Sequence, residues 1–184
     1  MVESVTDRLF LAVALNDEVR HGLAAFLGER VIRLPGRPTP PDNWHLTLRF
    51  LGSTDALQRD RVLEFLDEHL IVEPFTLGFT RPGAFPKPSR ATVLWLGVGR
   101  GSDDLTAVAD VCEQAAVSVG FDPEDRPFHP HLTLSRMRPP VSVERLIEQV
   151  ETFPLKMNVD RVTLYRSHLG REGAGYETLD EVLL

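Results

Sequence analysis

Apolar positions along the chain follow two alternating rhythms, and these predict its elements. Residues 9–15 form a short apolar run with strand character. Asn16 follows where a helix cap belongs. Val19, Leu23, Phe26 and Leu27 then recur at helical spacing across a predicted helix at 17–29. Pro35, Pro38, Pro40 and Pro41 mark a long loop. Residues 45–51 read HLTLRFL, polar alternating with apolar, which predicts a strand. Thr54 is the expected cap of a second helix carrying Val62, Phe65 and Leu66, and residues 75–80 read as another strand. Beyond a loop at 82–90 the order repeats. A strand is expected at 92–98. A helix should run from a Ser102 cap to about residue 119, with Leu105, Val108, Val111, Cys112 and Ala115 on one side. A loop holds Pro123, Pro127 and Pro130. The matching strand is 131–137 (HLTLSRM), followed by a helix at 143–151 capped by Ser142 and strands at 159–165 and 176–182.

The two HLTL segments begin at His45 and His131, 86 residues apart. Shifted by that amount, Leu9 falls on Trp95, Asn16 on Ser102, Asp17 on Asp103, and residues 77–79 on 163–165. One offset aligning strand, cap, helix, motif strand and closing strand implies an internal duplication. Two copies are too few for a solenoid. The motif strands alternate, so one face is open, which favours antiparallel sheets with helices on the other face. The expected fold class is therefore α+β and bilobal: pseudo-twofold, duplicated strand-helix-strand-helix-strand halves with antiparallel sheets flanking a central cleft. A single domain over 1–184 is expected, its lobes formed by halves at about 7–85 and 91–184.

Composition narrows the class. A 184-residue chain that is 42% hydrophobic and 26% charged is ordinary for a globular protein and unlike a disordered or fibrous one. No apolar run approaches the roughly 18 residues of a membrane span, and no signal-peptide pattern opens the chain. Cys112 is the only cysteine, which excludes an internal disulfide and a multi-thiolate metal site. A cytoplasmic protein with no membrane partner is the simple expectation. A net charge of −7 argues against a basic face for duplex DNA but leaves room for a local cationic pocket. Of the 20 cationic residues only Lys87 and Lys156 are lysines. Arginine suits bidentate phosphate contacts, although a genome-wide bias gives the same composition.

The duplicated motif carries the chemistry. Side chains alternate along a strand, so His45 and Thr47 share one face and Leu46 and Leu48 the other. His131, Thr133, Leu132 and Leu134 repeat this arrangement. If the halves face each other, two imidazoles and two hydroxyls converge in one cleft. That set suits phosphodiester chemistry without metal. One neutral imidazole takes a proton from the attacking oxygen, and one imidazolium protonates the leaving oxygen. The hydroxyls bond the non-bridging oxygens. A lone His-x-Thr on a strand is ordinarily a half-buried structural pair. Two copies at equivalent places on the polar face are not expected of core histidines. The spacing His129-Pro130-His131 also allows a metal-ligand pair, but neither motif histidine has acidic or thiol neighbours at ligand spacing.

The residues now resemble a known family. Arg8-Leu9-Phe10, Asn43-Trp44-His45-Leu46-Thr47-Leu48 with Phe50-Leu51-Gly52, and Val93-Leu94-Trp95-Leu96-Gly97 match the two-histidine phosphoesterases. So do Arg126-Pro127-Phe128-His129-Pro130-His131-Leu132-Thr133-Leu134 with Arg136, and Leu164-Tyr165-Arg166-Ser167 followed by Gly173 and Tyr176. Within that superfamily the chain resembles the RNA 2′,3′-cyclic phosphodiesterases, also called 2′-5′ RNA ligases, over about residues 7–182. The resemblance implies a hydrolase that opens a terminal 2′,3′-cyclic phosphate on RNA to a 2′-phosphate, acting as a monomer without cofactor or metal. ATP-independent 2′-5′ ligation would be the reverse reaction. His45 would be the general acid and His131 the general base, in roles a near-symmetric site could exchange. Thr47, Thr133 and Arg136 would hold the phosphate, and Phe50 would line the nucleotide pocket. Other substrates in the superfamily are 2′-5′ oligoadenylates and ADP-ribose cyclic phosphate. A non-catalytic RNA-end or nucleotide-binding module is the reading of a different class.

Parity leaves a puzzle. Arg136 and Phe50, five residues beyond each histidine, have the wrong parity for the cleft face unless the strand bulges. Arg49 has the right parity, as a second cation for the cleft or as a solvated side chain. Arg126 is expected to tie the proline-rich loop to Asp122, Glu124 or Asp125. Phe85 either stacks on a base or plugs the core. Trp44 and Cys112 read as core, and His21, His69 and His168 as solvated.

Overall fold

A computed structural model describes residues 6–29, 32–170 and 173–184. The first strand, β1 (Asp7–Ala14), leads into α1 (Asp17–Glu29). Asn16 accepts the Val19 amide at 2.9 Å, so the expected cap is the observed one. A two-residue strand, β2 (Arg37–Pro38), and a 3-10 turn at Pro41–Asn43 then deliver the chain to β3 (His45–Thr54). α2 (Ala56–His69) and β4 (Phe75–Phe85) close the first half. The second half runs β5 (Ala91–Val98), α3 (Ser102–Ser118), β6 (His131–Val141), α4 (Glu144–Gln149), β7 (Lys156–Val159), β8 (Arg161–Gly170) and β9 (Gly173–Leu183).

These strands make two antiparallel sheets, of order β3-β1-β8-β9 and β2-β6-β5-β4-β7. The α+β class, with helices and antiparallel sheets in two lobes, is what the alternating motif strands predict. The closing strand of each half joins the sheet that contains the first strand of the other half. β4 pairs with β5 of the second half, and β8 pairs with β1 of the first. Local periodicity shows that a strand exists but not which distant edge completes it.

The single offset of 86 holds for the motif strands only. Ala12 pairs with Thr47 as Trp95 pairs with Thr133, so the first strands are related by 83. Leu11 pairs with Leu164 as Leu94 pairs with Ala84, so the closing strands are related by 80. Length differences in the connections absorb the drift.

Several ends differ from expectation. β3 continues through Thr54, whose hydroxyl donates to the Gly52 carbonyl, and Asp55 caps α2 instead. Asp55 accepts the Gln58 amide at 2.8 Å while the Gln58 side chain accepts the Asp55 amide at 3.2 Å, a reciprocal capping box. Ser102 is the first residue of α3, not its cap. Gly101 holds that place at φ 73°, where a Cβ would meet the Thr76 carbonyl at 2.7 Å. α4 is shorter than expected, and Ser142 bonds the Glu144 carboxylate. β4 extends through the loop foreseen at 82–90 as far as Phe85.

The core is built from the helix stripes and the leucine faces. Val19, Leu23, Phe26, Leu27, Trp44, Leu46, Leu48, Leu105, Val108, Cys112, Ala115, Leu132 and Leu134 are all buried. Each buried leucine contributes about 1.5–3 kcal/mol, so the orientation of the motif strands is fixed from behind. Burial also pushes the Cys112 thiol upward, which leaves it inert. α2 packs on α3, and α3 on β3. Replacing Asp55 by Ala removes the capping box and is expected to cost about 1 kcal/mol, read as a lower urea midpoint with unchanged slope.

Candidate active site

The motif strands each carry a one-residue bulge at the same place. Leu11 pairs with Arg49 and Ala12 with Thr47, which leaves Leu48 as the extra residue. Leu94 pairs with Ser135 and Trp95 with Thr133, which leaves Leu134 in the same position. The insertion reverses the parity of the residues beyond it. Arg49 and Ser135 become buried, while Phe50 and Arg136 turn outward. The wrong-parity residues thereby rejoin the face of His45, Thr47, His131 and Thr133.

Each imidazole is held by the same device. His45 Nδ1 donates to the Asn43 carbonyl at 2.8 Å, and His131 Nδ1 donates to the His129 carbonyl at 2.6 Å. Both acceptors lie two residues upstream. In the neutral rings the proton is therefore on Nδ1, and Nε2 is the reactive nitrogen. The Thr47 hydroxyl lies 2.9 Å from His45 Nε2 and can donate to it. Asn43 is itself pinned, its side-chain amide donating to the Ala174 carbonyl at 2.7 Å.

Rings wall both histidines. His45 lies against Phe10 at 4.9 Å and Tyr176 at 5.1 Å, with Tyr165 beyond at 6.2 Å. His131 lies against Phe85 at 5.2 Å, with His129 and Trp95 at 6.1 and 6.2 Å. Phe85 thus takes neither expected role alone: it is half-buried and packs edge-on to the reactive ring. Burial in these walls lowers the His45 pKa to about 4, partly opposed by the bond to Asn43 and reinforced by the charges of Arg136 and His131. The His131 pKa is lowered by burial first, opposed by its bond to His129, with His129 and Arg136 adding to the depression. Arg136 thus acts on both rings, lowering the pKa of each.

Phe50 is half exposed (51%) and stacks toward Phe10 at 5.8 Å. Thr133 holds on β6 the place Thr47 holds on β3. Among the described residues no group of three or more His, Cys, Asp or Glu is arranged to hold a metal ion. Two hollows lie beside Ile32, Pro35 and Leu146 and beside Leu15, Met157 and Val159. Neither includes a motif histidine. His21, His69 and His168 are on the surface, as expected.

Arg49 is the main departure. It is 7% exposed and crosses to the other half of the chain. Its Nη1 donates to the Phe50 carbonyl at 2.7 Å and to Glu124 at 2.8 Å, Nη2 donates to the Asp122 carbonyl, and Nε pairs with Glu113 of α3. Arg49, not Arg126, ties down the loop that leads to His131. Sequence reasoning also missed Asn43 as the partner of His45 and the ring wall as a unit. A signal for the wall exists: β1 is apolar at every position from Leu9 to Ala14, so Phe10 and Ala12 must be covered on the otherwise open face.

Comparisons with known proteins place the chain in a family. The sequence model of the 2′-5′ RNA ligase superfamily matches residues 34–171. The chain is 35% identical to an RNA 2′,3′-cyclic phosphodiesterase of Aeropyrum pernix over 153 residues, covering 81% of this chain and 86% of that protein. It is 31% identical to the Escherichia coli RNA 2′,3′-cyclic phosphodiesterase over 176 residues, 96% of each. The crystal structure of Escherichia coli LigT with 3′-AMP superposes with a TM-score of 0.82 at 28% identity, covering 97% of this chain and 98% of that one. The chain belongs to the 2′-5′ RNA ligase superfamily.

Replacing Arg49 by Met strands Glu113 and Glu124. Both carboxylates are partly exposed, so the expected loss is about 2–3 kcal/mol, below that of a fully buried pair. Adding Glu113→Gln should recover part of it, and urea unfolding of the single and double variants measures both effects.

Proposed function

We propose that this protein is a metal-independent RNA 2′,3′-cyclic phosphodiesterase that opens the terminal cyclic phosphate to a 2′-phosphate. The matched orientation of the two imidazoles carries the reading: each donates Nδ1–H to the carbonyl two residues upstream and leaves Nε2 for the substrate. The curated relatives bearing that activity support it. The catalytic pair is His45 and His131. Thr47, Thr133 and Arg136 bind the phosphate, and Phe50 lies against the nucleoside. RNA ends are the partner, and because one chain supplies both histidines, a monomer suffices.

Water attacks phosphorus while His131 Nε2 takes its proton. The bond from phosphorus to O3′ breaks, and the proton on His45 Nε2 passes to that oxygen. His45, the more deeply enclosed ring, makes the stronger acid once charged. The threonine hydroxyls and the Arg136 guanidinium bond the non-bridging oxygens, where charge accumulates. With the 5′-hydroxyl of a second RNA attacking in place of water, its proton passing to His131 and O3′ leaving as before, the same groups form a 2′-5′ linkage without ATP.

The electrostatics set the pH response. Catalysis needs one imidazole charged and one neutral. Both pKa values lie below the ordinary 6.5, so at neutrality the free enzyme holds mostly the doubly neutral form. As pH falls toward them, the singly protonated form grows, and below both it is lost. A bell-shaped kcat/KM profile is therefore expected with its maximum below pH 6.5, its limbs belonging to the coupled pair. Arg136→Gln removes a charge that depresses both rings. It should shift both limbs upward while lowering kcat by about 100-fold.

His45→Ala and His131→Ala should each lower turnover of a 2′,3′-cyclic nucleotide by at least about 100-fold with folding intact. Wild-type turnover should persist in EDTA. A loss of less than about tenfold in both histidine variants, or collapse of wild-type activity on chelation, would overturn the proposal.

A further inference from the structure

We propose that Arg37 binds the phosphate next upstream of the reacting one, so that the site engages an oligonucleotide end rather than a terminal nucleotide alone. The inference rests on the phosphodiesterase reading and extends it by one nucleotide.

Its basis is the edge of the second sheet. β2 pairs with β6 in the register Arg37 to Arg136 and Pro38 to Ser135. Residues directly opposite on an antiparallel pair put their side chains on the same face. Arg136 is on the cleft face, because the bulge at Leu134 turns it there with His131 and Thr133. Arg37 therefore stands on that face too, one strand spacing outward, roughly 4.8 Å, and both arginines are exposed.

The attachment of this edge is specific. Gly36 takes φ 70°, and a Cβ there would meet the Arg136 carbonyl at 2.5 Å and Met137 Cγ at 2.8 Å. Only glycine lets the segment approach so closely. The Thr39 amide donates to the carbonyl of Leu134, the bulge residue itself, at 2.9 Å. The bulge that aims Arg136 thus also provides an anchor for the strand that carries Arg37.

The two guanidinium groups stand on neighbouring strands of one sheet face. A guanidinium prefers a phosphate with two oxygens in its plane. With the reacting phosphate bound by Arg136 and the threonines, the outer cation is placed for the adjoining link of the backbone. A phosphodiester within RNA has that charge and spacing, and a cyclic mononucleotide has none.

The test compares a 2′,3′-cyclic mononucleotide with a trinucleotide ending in 2′,3′-cyclic phosphate, using the wild type, Arg37→Gln and Arg37→Lys. Arg37→Gln should lower kcat/KM for the trinucleotide about tenfold through KM, the scale of one charge-assisted contact, and leave the mononucleotide within about twofold. The slope of log kcat/KM against log salt should flatten by about 0.7, the value for one single-strand phosphate contact. Arg37→Lys should keep most of the preference. Equal losses on both substrates, or no loss on the trinucleotide, would overturn the assignment. Equilibrium binding of a trinucleotide ending in 2′-phosphate is the second readout and needs no turnover. If the wild type cleaves neither cyclic substrate, the phosphodiesterase reading fails. An equal affinity of wild type and Arg37→Gln would then remove the Arg37 contact independently.

Discussion

One extra residue in each motif strand, Leu48 in β3 and Leu134 in β6, decides what the cleft contains. A regular strand would present Arg49 and Ser135 beside the histidines and bury Phe50 and Arg136. Burying Arg136 without a partner would cost several kcal/mol. The bulge exchanges the two sets. It turns Arg136 and Phe50 to the face of His45, Thr47, His131 and Thr133, and it sends Arg49 inward to Glu113, Glu124 and the Asp122 carbonyl. The leucines of both strands remain on the core side throughout, so the change of phase costs the core nothing. It also leaves the Leu134 carbonyl bonded to the edge segment at Thr39.

The second constraint is electrostatic. Around the motif imidazoles the charges that count are positive: Arg136 and His131 act on His45, and His129 and Arg136 on His131. Ring walls remove water from both. Such a site rejects a proton when empty. On the proposed reading, a phosphodiester brings the missing negative charge, favours an imidazolium and so charges the general acid when a leaving group is there to receive its proton. The backbone carbonyls of Asn43 and His129 oppose full neutralisation by accepting Nδ1–H, and they keep Nε2 aimed inward in either protonation state. The orienting acceptors are thus neutral carbonyls rather than carboxylates. A buried anion in their place would stabilise the imidazolium permanently and repel the phosphate.

Much of this was legible in the chain, and the pattern of success has a physical reason. The HLTL strands, α1 with its Asn16 cap, and the buried sides of Trp44 and Cys112 are consequences of short-range periodicity and capping chemistry. The need for a bulge could be stated from parity, because Phe50 and Arg136 matched a family while sitting out of phase. What escaped depends on pairing across the chain. β4 and β8 complete sheets begun by the opposite half, and alternation within a strand does not name its partner edge. Parity reads Arg49 as a cleft cation or a solvated side chain, and it is neither for the same reason: the bulge acts between its position and that of His45. Its ties to Glu113 and Glu124, 64 and 75 residues away in sequence, leave no local trace.

The duplication is symmetric where protons move and asymmetric where the substrate is held. The histidines, threonines, bulges and backbone acceptors recur in both halves. The residues after each bulge do not. β3 continues with Arg49 and Phe50, a buried strut and an exposed ring, whereas β6 continues with Ser135 and Arg136, a buried hydroxyl and an exposed cation. Two equivalent imidazoles cannot tell attacking from leaving oxygen by themselves. A ring on one side and a guanidinium on the other can, because a nucleoside stacks on the first and an anionic backbone prefers the second. On the proposed phosphodiesterase reading, the direction of the reaction is set by the two positions at which the halves diverged, each turned outward by a bulge they still share.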